Sequence, residues 1–572
     1  MHIMLKTGLL TCCLLAACHS ARRIQMAVPD AFHYTIQKNV TCTNGAVVSA
    51  HPLASEVGLA ILRRGGNAVD AAIATQLALA VVYPGAGNLG GGGFMVARLQ
   101  SGKLLALDYR ESAPGRASRD MYLDTAGNPA GDRSINGHLA AGVPGTVAGL
   151  VAASRYGRLP FRELVQPAID LAEKGFAITR GEAASLNAIQ ADLKRYNTIT
   201  PVFLRDRPWK AGDTLVQADL AATLRRIRDK GVRGFYEGTT ARLIVSEMQR
   251  GGGLVSLEDL RRYRAKFREP HVFTYKGYTV VGMPMPSSGG ILLHQMMKMV
   301  EPRHLDKLGF QTLSSVQLMT EVERRAFADR AKYMGDADYY RVPVDSLVSD
   351  TYLARRMQDY DPHAATDSRR VQPGVLPLPE SEQTTHLSVL DRDGNAVAVT
   401  TTLNNSYGCK TVVGGAGFFL NDEMDDFSMK PGVPNLYGAV GGEANAIAPG
   451  KRMLSSMTPT LVLQENKPFL VVGTPGGTTI PTSVFQTLVN ILDFGLSTQD
   501  AVYLPKFHHQ WLPDSILVEA GFPEAVRLGL ENMGYKVYQR SAIGRTEVIR
   551  VDQDGRIEAV ADRRGEDDAA GY

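Results

Sequence analysis

The amino-acid sequence predicts an α+β layered sandwich rather than a doubly wound parallel sheet. Three observations carry that expectation. Strand signals precede helix signals in both halves of the chain, which segregates helices onto packed sheets. Two of the strand runs are joined by Asp393-Gly394, a hairpin signal. A proline-rich, patternless stretch, residues 361–383, separates the halves and reads as a linker. At 572 residues the chain has room for two to four structural units.

Taken in order, GAVVSA at 45–50 is a strand and HPLASEVGLAILRRGG a helix closed by Gly65 and Gly66. Asn67 is placed to cap a second helix, AVDAAIATQLALAVV, which stops at Pro84. FMVARL and KLLALDYR read as strands, residues 150–270 as mostly helical, and HVFTYKGYTVVGMP as strand again. SSVQLMTEVERRAFADRAKYMG is a strong helix. Beyond the linker, THLSVLDR, NAVAVTTTL, GAGFFLND, TPTLVLQEN and KPFLVVG are expected strands, and PTSVFQTLVNILDFG a helix ending at Gly495.

Composition narrows the function classes. Hydrophobic residues at 44% and charged residues at 21% are ordinary globular values. The net charge of +4 is spread without a basic stripe, so nucleic acid is not an expected partner. MHIMLK, the short apolar run GLLTCCLLAA and CHSARR make a secretory signal layout, and Leu15-Ala16-Ala17-Cys18 resembles a bacterial lipobox. The expectation is a lipoprotein-type signal over 1–18 and an exported, periplasmic protein, with two outcomes open: lipidation of Cys18 as a membrane tether, or plain cleavage nearby with no lipid. Of the five cysteines only Cys42 and Cys409 lie beyond that region; one disulfide between them stays open, and no metal-binding spacing exists.

Several motifs invite chemistry and lose it on inspection. Gly85 to Gly90 matches GxGxxG, but a helix precedes it and a strand follows, the reverse of a dinucleotide site. Close backbone packing explains Gly90 to Gly93 better. His508-His509 point apart on any regular backbone and read as structural. Ser455-Ser456 and Gly476-Gly477 sit in turn-like segments; hydroxyl pairs can hold a carboxylate, and glycine pairs can present two N–H groups to an oxyanion.

SEQTTHLSVL poses the sharper question, since an internal threonine hydroxyl has no built-in base. If the Gln383–Thr384 bond is cut, Thr384 gains an α-amine beside its own Oγ, with a pKa of about 7.7–8.0. That pairing is an activated nucleophile with its own general base.

QTTHLSVLDRDGNAVAVTTTLN, LNDEMDDFS, PGVPNLYGAVGGEANA, KRMLSSMTPT and TPGGTT, in this order, closely resemble the γ-glutamyltransferase (glutathione hydrolase) family. GGNAVDAAIATQLALAVVYPGAGNLGGGGFM, LDYRESAP, GVPGTVAGL and MPMPSSGG resemble it in the first half. The resemblance implies a four-layer αββα sandwich of the N-terminal-nucleophile hydrolase type, split by itself between Gln383 and Thr384 into a large subunit, 19–383, and a small one, 384–572. It makes Thr384 the nucleophile, Thr402 its hydroxyl partner, and Gly476 and Gly477 the oxyanion hole. Arg110, with Ser455 and Ser456, would hold the substrate α-carboxylate; Asn404, Glu423 and Asp426 would receive the α-ammonium. Tyr437 matches a lid loop that some members have. Glutathione and other γ-glutamyl compounds are the implied donors, water, amino acids or dipeptides the acceptors, with no metal or organic cofactor. Cys409-Lys410 departs from the family pattern. Rival readings are a glutaryl-type acylase or poly-γ-glutamate enzyme of the same fold, and an unsplit binding lipoprotein.

Overall fold

The computed structural model describes residues 30–371, 384–430, 432–435 and 438–572. Fourteen strands build its two large sheets: β1 Asn39–Cys42, β2 Ala46–Ser49, β3 Gly92–Arg98, β4 Leu104–Asp108, β5 Lys266–Arg268, β6 His271–Tyr275, β7 Tyr278–Gly282, β8 Thr385–Leu390, β9 Ala396–Thr402, β10 Thr460–Gln464, β11 Lys467–Gly473, β12 Glu547–Val551, β13 Ile557–Val560 and β14 Asp568–Gly571. One sheet runs β14-β2-β8-β9-β3-β4-β5, the other β1-β13-β12-β11-β10-β7-β6. Every pairing within these two sheets is antiparallel.

Side-chain alternation along the strands divides the core into three. Val48, Phe94, Val96 and Ala398 of the first sheet meet Val281, Leu461, Val471 and Ile549 of the second, filling the space between the sheets. Their neighbours Val47, Met95, Leu387, Val389 and Val397 point the other way, onto helices α1 (Pro52–Arg63) and α2 (Ala68–Val82). On the far side Val280, Val462, Leu470 and Val548 face α3 (Gly289–Val300), α4 (Leu313–Tyr333) and α5 (Thr479–Leu492). Helix, sheet, sheet, helix is the expected four-layer order.

The local chemistry explains these elements. Asn67 caps α2 and exchanges hydrogen bonds with Asp70 in a capping box. All of α2 is buried, and its apolar residues go all the way round, as a helix between a sheet and further helices requires. A Cβ on Gly58 would lie 2.2 Å from Thr75 Oγ1, so glycine is what lets α1 and α2 approach so closely. Between β8 and β9 Asp391 Oδ1 accepts the N–H groups of Asp393 (2.9 Å) and Asn395 (3.0 Å), closing the expected hairpin.

Three expectations are corrected. GAGFFLND is not a strand: Phe419 and Leu420 make only isolated bridges, to Val412 and Gly90. The linker reading starts too early, because residues 365–371 are docked: Ala365 N–H donates to Met533 O (2.9 Å) and Trp511 Nε1–H to Ser368 O (3.0 Å). Polar composition hid a segment that folds through partners distant in sequence. Cys42 and Cys409 are both buried and both free, so the disulfide left open above does not form. Cys18, Gln383 and Tyr437 lie outside the described residues.

Candidate active site

Thr384 stands immediately before β8, a central strand flanked by β2 and β9. Its Oγ1 is 3.5 Å from Oγ1 of Thr402, the last residue of β9, and both residues are buried. Thr402 Oγ1 accepts the Asn404 N–H at 2.7 Å, and Asn404 holds a left-handed φ of 75° that few non-glycine residues adopt. The glycine run GNLGGGG supports this pair from behind. A Cβ on Gly91 would sit 2.1 Å from Thr402 O, and one on Gly90 2.1 Å from Phe419 O. Close packing, the reading preferred over a nucleotide loop, is what these glycines do.

Thr384 and Thr402 open onto a narrow cleft, whose lining also includes Arg110, Arg330, Asn404, Glu423, Asp426 and Asn435. Ser455, Ser456 and Gly477 complete that wall. The structure thus gathers residues from six separate sequence motifs. Gly476 lies one residue behind Gly477 and does not line the cleft.

Gly476 and Gly477 precede α5, with φ of 137° and 57°. A Cβ on Gly476 would fall 2.4 Å from Thr479 Oγ1, whose hydroxyl caps Gly476 O at 2.7 Å. Among the described residues neither glycine N–H donates to any acceptor. Two unused amides at the N-terminus of a helix form an anion-receptive corner.

The charged wall is built from β4 outward. Asp108, its last residue, accepts the Arg110 N–H (2.9 Å), while the Arg110 carbonyl takes the Tyr263 hydroxyl (2.7 Å) and Nε–H reaches Met453 O (3.3 Å). Arg110 is thereby aimed at Glu423 Oε2, 2.5 Å from Nη1, and at Asp426 Oδ2, which pairs with Nη2. Burial pulls the guanidinium down, but Glu423, Asp426 and Glu111 outweigh it and hold its pKa above the ordinary arginine value. Burial drives Glu423 up against the attraction of Arg110, and lifts Glu111, 3.7 Å from Arg110, to about 8. Asn435 Nδ2 donates to Asp426 Oδ1 at 3.1 Å.

Sequence reasoning missed Arg330, which lines the same cleft from α4. Its Nη2 donates to Ser456 Oγ (3.0 Å) and its Nε to Ser288 Oγ (3.1 Å). Burial pushes it down to about 10, which leaves it cationic at neutral pH. The signal was the arginine-rich run ERRAFADR, but a helix buried on every side does not announce which arginine meets a cleft.

Other candidates find structural places. His508 Nδ1 lies 2.8 Å from Thr482 Oγ1 and His509 Nε2 3.3 Å from Asp514, both rings buried. Burial pushes the Cys409 thiol up to about 11, the opposite of a reactive cysteine. Among the described residues no group of three potential ligands could hold a metal, and no helix is long and apolar enough to cross a membrane.

A family model described as gamma-glutamyltranspeptidase matches residues 54–572. The chain is 46% identical over 568 residues to the glutathione hydrolase proenzyme of Escherichia coli K12, covering 97% of each. It is 47% identical over 532 residues to the glutathione hydrolase proenzyme of Pseudomonas aeruginosa, covering 92% of this chain and 94% of that one. Its fold is similar to that of a cephalosporin acylase from Bacillus halodurans, with a TM-score of 0.82 and 27% identity, covering 94% of this chain and 98% of the other. With its threonine pair, its amide corner and its charged wall in one cleft, and with this match along nearly its whole length, the chain belongs to the γ-glutamyltranspeptidase family.

Proposed function

We propose that the chain is the precursor of a γ-glutamyltransferase and glutathione hydrolase that cuts its own Gln383–Thr384 bond. The observation that carries this reading is the cleft itself. One hydroxyl that can become a chain start faces a wall carrying both signs of charge, with an amide corner beside it.

A γ-glutamyl head bears a carboxylate and an ammonium on one carbon. Arg110 now answers Glu423 and Asp426; inserting the head across that pairing gives the arginine a substrate carboxylate and the two acids a substrate ammonium. Arginine suits the carboxylate through its planar fork, with Ser455 and Ser456 as further donors. With the head fixed, only the γ-carbonyl reaches Thr384. The α-amine of Thr384 takes the Oγ proton as Oγ adds to that carbonyl, and the oxyanion forms toward the Gly476 and Gly477 amides. Collapse expels the leaving amine with the proton and leaves a γ-glutamyl ester. Water then gives hydrolysis, and the amine of an amino acid or dipeptide gives transfer. Thr402 holds the Oγ of Thr384, and Asn435 and Ala439 line the cleft beside the charged wall.

In this reading residues 19–383 and 384–572 are the two subunits, and 1–18 is a lipoprotein-type signal that delivers the protein to the periplasm with Cys18 as its anchor. Intact mass of wild type beside Thr384→Ala tests the core claim. Wild type is expected as two pieces, one beginning at Thr384, and the variant as one inactive chain. A variant that still splits there removes Thr384 from the mechanism. Relative rates on γ-glutamyl and glutaryl anilides separate this reading from an acylase, because a glutaryl group has no ammonium for Glu423 and Asp426.

A further inference from the structure

The cleft holds a second cation that no acid touches: Asp426 attracts it from beyond ion-pair distance, and burial outweighs that attraction. Arg110 has Glu423 and Asp426, whereas Arg330 has no carboxylate within ion-pair distance among the described residues, and the hydrogen bonds it makes go to two serine hydroxyls. A buried guanidinium without a contacting counterion is costly to keep, so its place in a binding cleft calls for an account.

Its hydrogen bonds supply one. Arginine only donates, so the Nη2–H occupies a lone pair of Ser456 Oγ and the serine's own proton must point elsewhere. Ser455 Oγ is treated alike, since it accepts the Met457 N–H at 3.1 Å. Among the described residues neither hydroxyl donates to any acceptor, and both line the cleft. Through Nε, Arg330 also holds Ser288, whose hydroxyl and N–H both donate to Ser455 O, at 2.8 and 2.9 Å. One side chain therefore braces the segment that carries both serines and fixes the polarity of one of them.

We propose that Arg330 is a positioning residue for the substrate α-carboxylate: it turns the Ser456 hydroxyl into an obligate donor toward that group, and its charge, paired with no contacting acid, offsets the carboxylate's when the head is buried. The inference rests on the carboxylate lying at Arg110, Ser455 and Ser456, as proposed above. Thr384 and the amide corner are untouched by it, so its signature is in binding rather than in turnover.

The test uses the self-cleaved enzyme and two substrates, γ-glutamyl-p-nitroanilide and its analogue with the α-carboxylate replaced by a carboxamide. Wild type is expected to favour the carboxylate substrate strongly in kcat/KM. Arg330→Met should raise KM for that substrate by about 10- to 100-fold, the range for a lost hydrogen bond to a charged group, with kcat changed less than about threefold. The carboxamide should show only a small change. Arg330→Lys keeps the charge but not the two-point brace, and should recover part of the loss. Combining Arg330→Met with Ser456→Ala should cost less than the sum of the single losses. If KM rises equally for both substrates, or the loss lies in kcat, Arg330 is merely structural and the inference falls. If Arg330→Met fails to fold or to self-cleave, the Lys variant decides alone: an unchanged preference for carboxylate over carboxamide overturns the proposal. A wild type indifferent to the carboxamide exchange removes the carboxylate placement itself, and this inference with it.

Discussion

Gly476 shows how little latitude a single residue has here. Its φ of 137° and the 2.4 Å between a notional Cβ and Thr479 Oγ1 leave no room for alanine without moving the turn before α5. Gly476→Ala is expected to lower kcat by about 100-fold, the usual effect of losing one oxyanion donor, with KM little changed. Steady-state kinetics on the self-cleaved variant read this directly. His386 offers a different test. Its Nδ1 lies 2.9 Å from Thr400 Oγ1 and its Nε2 3.1 Å from Ser388 Oγ, and it fills the space that Gly473 leaves across the gap between the sheets. Burial holds its pKa down to about 3, against 6.5 for a free histidine. The folded chain therefore refuses a proton that the unfolded chain accepts. Its contribution is whole above about pH 6.5 and is lost as pH falls toward 3. His386→Gln should be less stable than wild type near neutrality, with the gap narrowing by on the order of 2 kcal/mol by about pH 4.5. Urea unfolding at the two pH values measures it; a gap constant with pH would mean the ring takes its proton while folded.

At the scale of elements, the glycine run between α2 and β3 is the most exacting. Gly91→Ala places a methyl 2.1 Å from Thr402 O and must push β9 or the loop aside. Overpacking of this kind costs about 1–3 kcal/mol, and here it also displaces the Thr384 partner. Slower self-cleavage with a lower Tm is expected, measured by the time course of chain splitting and by thermal unfolding. The elements also show what was legible in advance. Alternation in THLSVL puts Leu387 and Val389 on one face and Ser388 and Leu390 on the other, and in the fold the first pair faces the helices and the second the other sheet. Capping chemistry found the start of α2 at Asn67. GAGFFLND misled because its alternation serves isolated bridges around Leu420 rather than a ladder. Motif resemblance reached the residues of the cleft that sit in glycine-rich or charged loops, each marked by its neighbours. Arg330 was out of reach because Arg324, Arg325 and Arg330 share one helix buried on all sides, and only the third dimension tells them apart.

At the scale of the molecule, the proposed cut divides a chain whose halves are interleaved. In one sheet β14 pairs with β2, β2 with β8, and β9 with β3, each pairing joining segments from opposite sides of Thr384. In the other, β1 pairs with β13 and β7 with β10 across the same divide. Five hydrogen-bonded seams and a shared core between the sheets hold the pieces together. Cleavage should therefore leave the hydrodynamic size unchanged, and the two pieces should part only on global unfolding. Size-exclusion chromatography of the split enzyme across a urea series tests this, and separation before the loss of secondary structure would contradict it.

The pairing of the first strands with the last has a consequence for how the protein is made. β1 and β2 are made first of the fourteen strands, yet their neighbours β13 and β14 are made last of them, and Tyr572 O accepts the Asn44 N–H at 2.9 Å. Neither sheet can close before β13 and β14 are made, because such distant pairings await both partners. The same delay keeps Thr384 from meeting its full surroundings until β14 is in place, so the proposed scission waits for that strand.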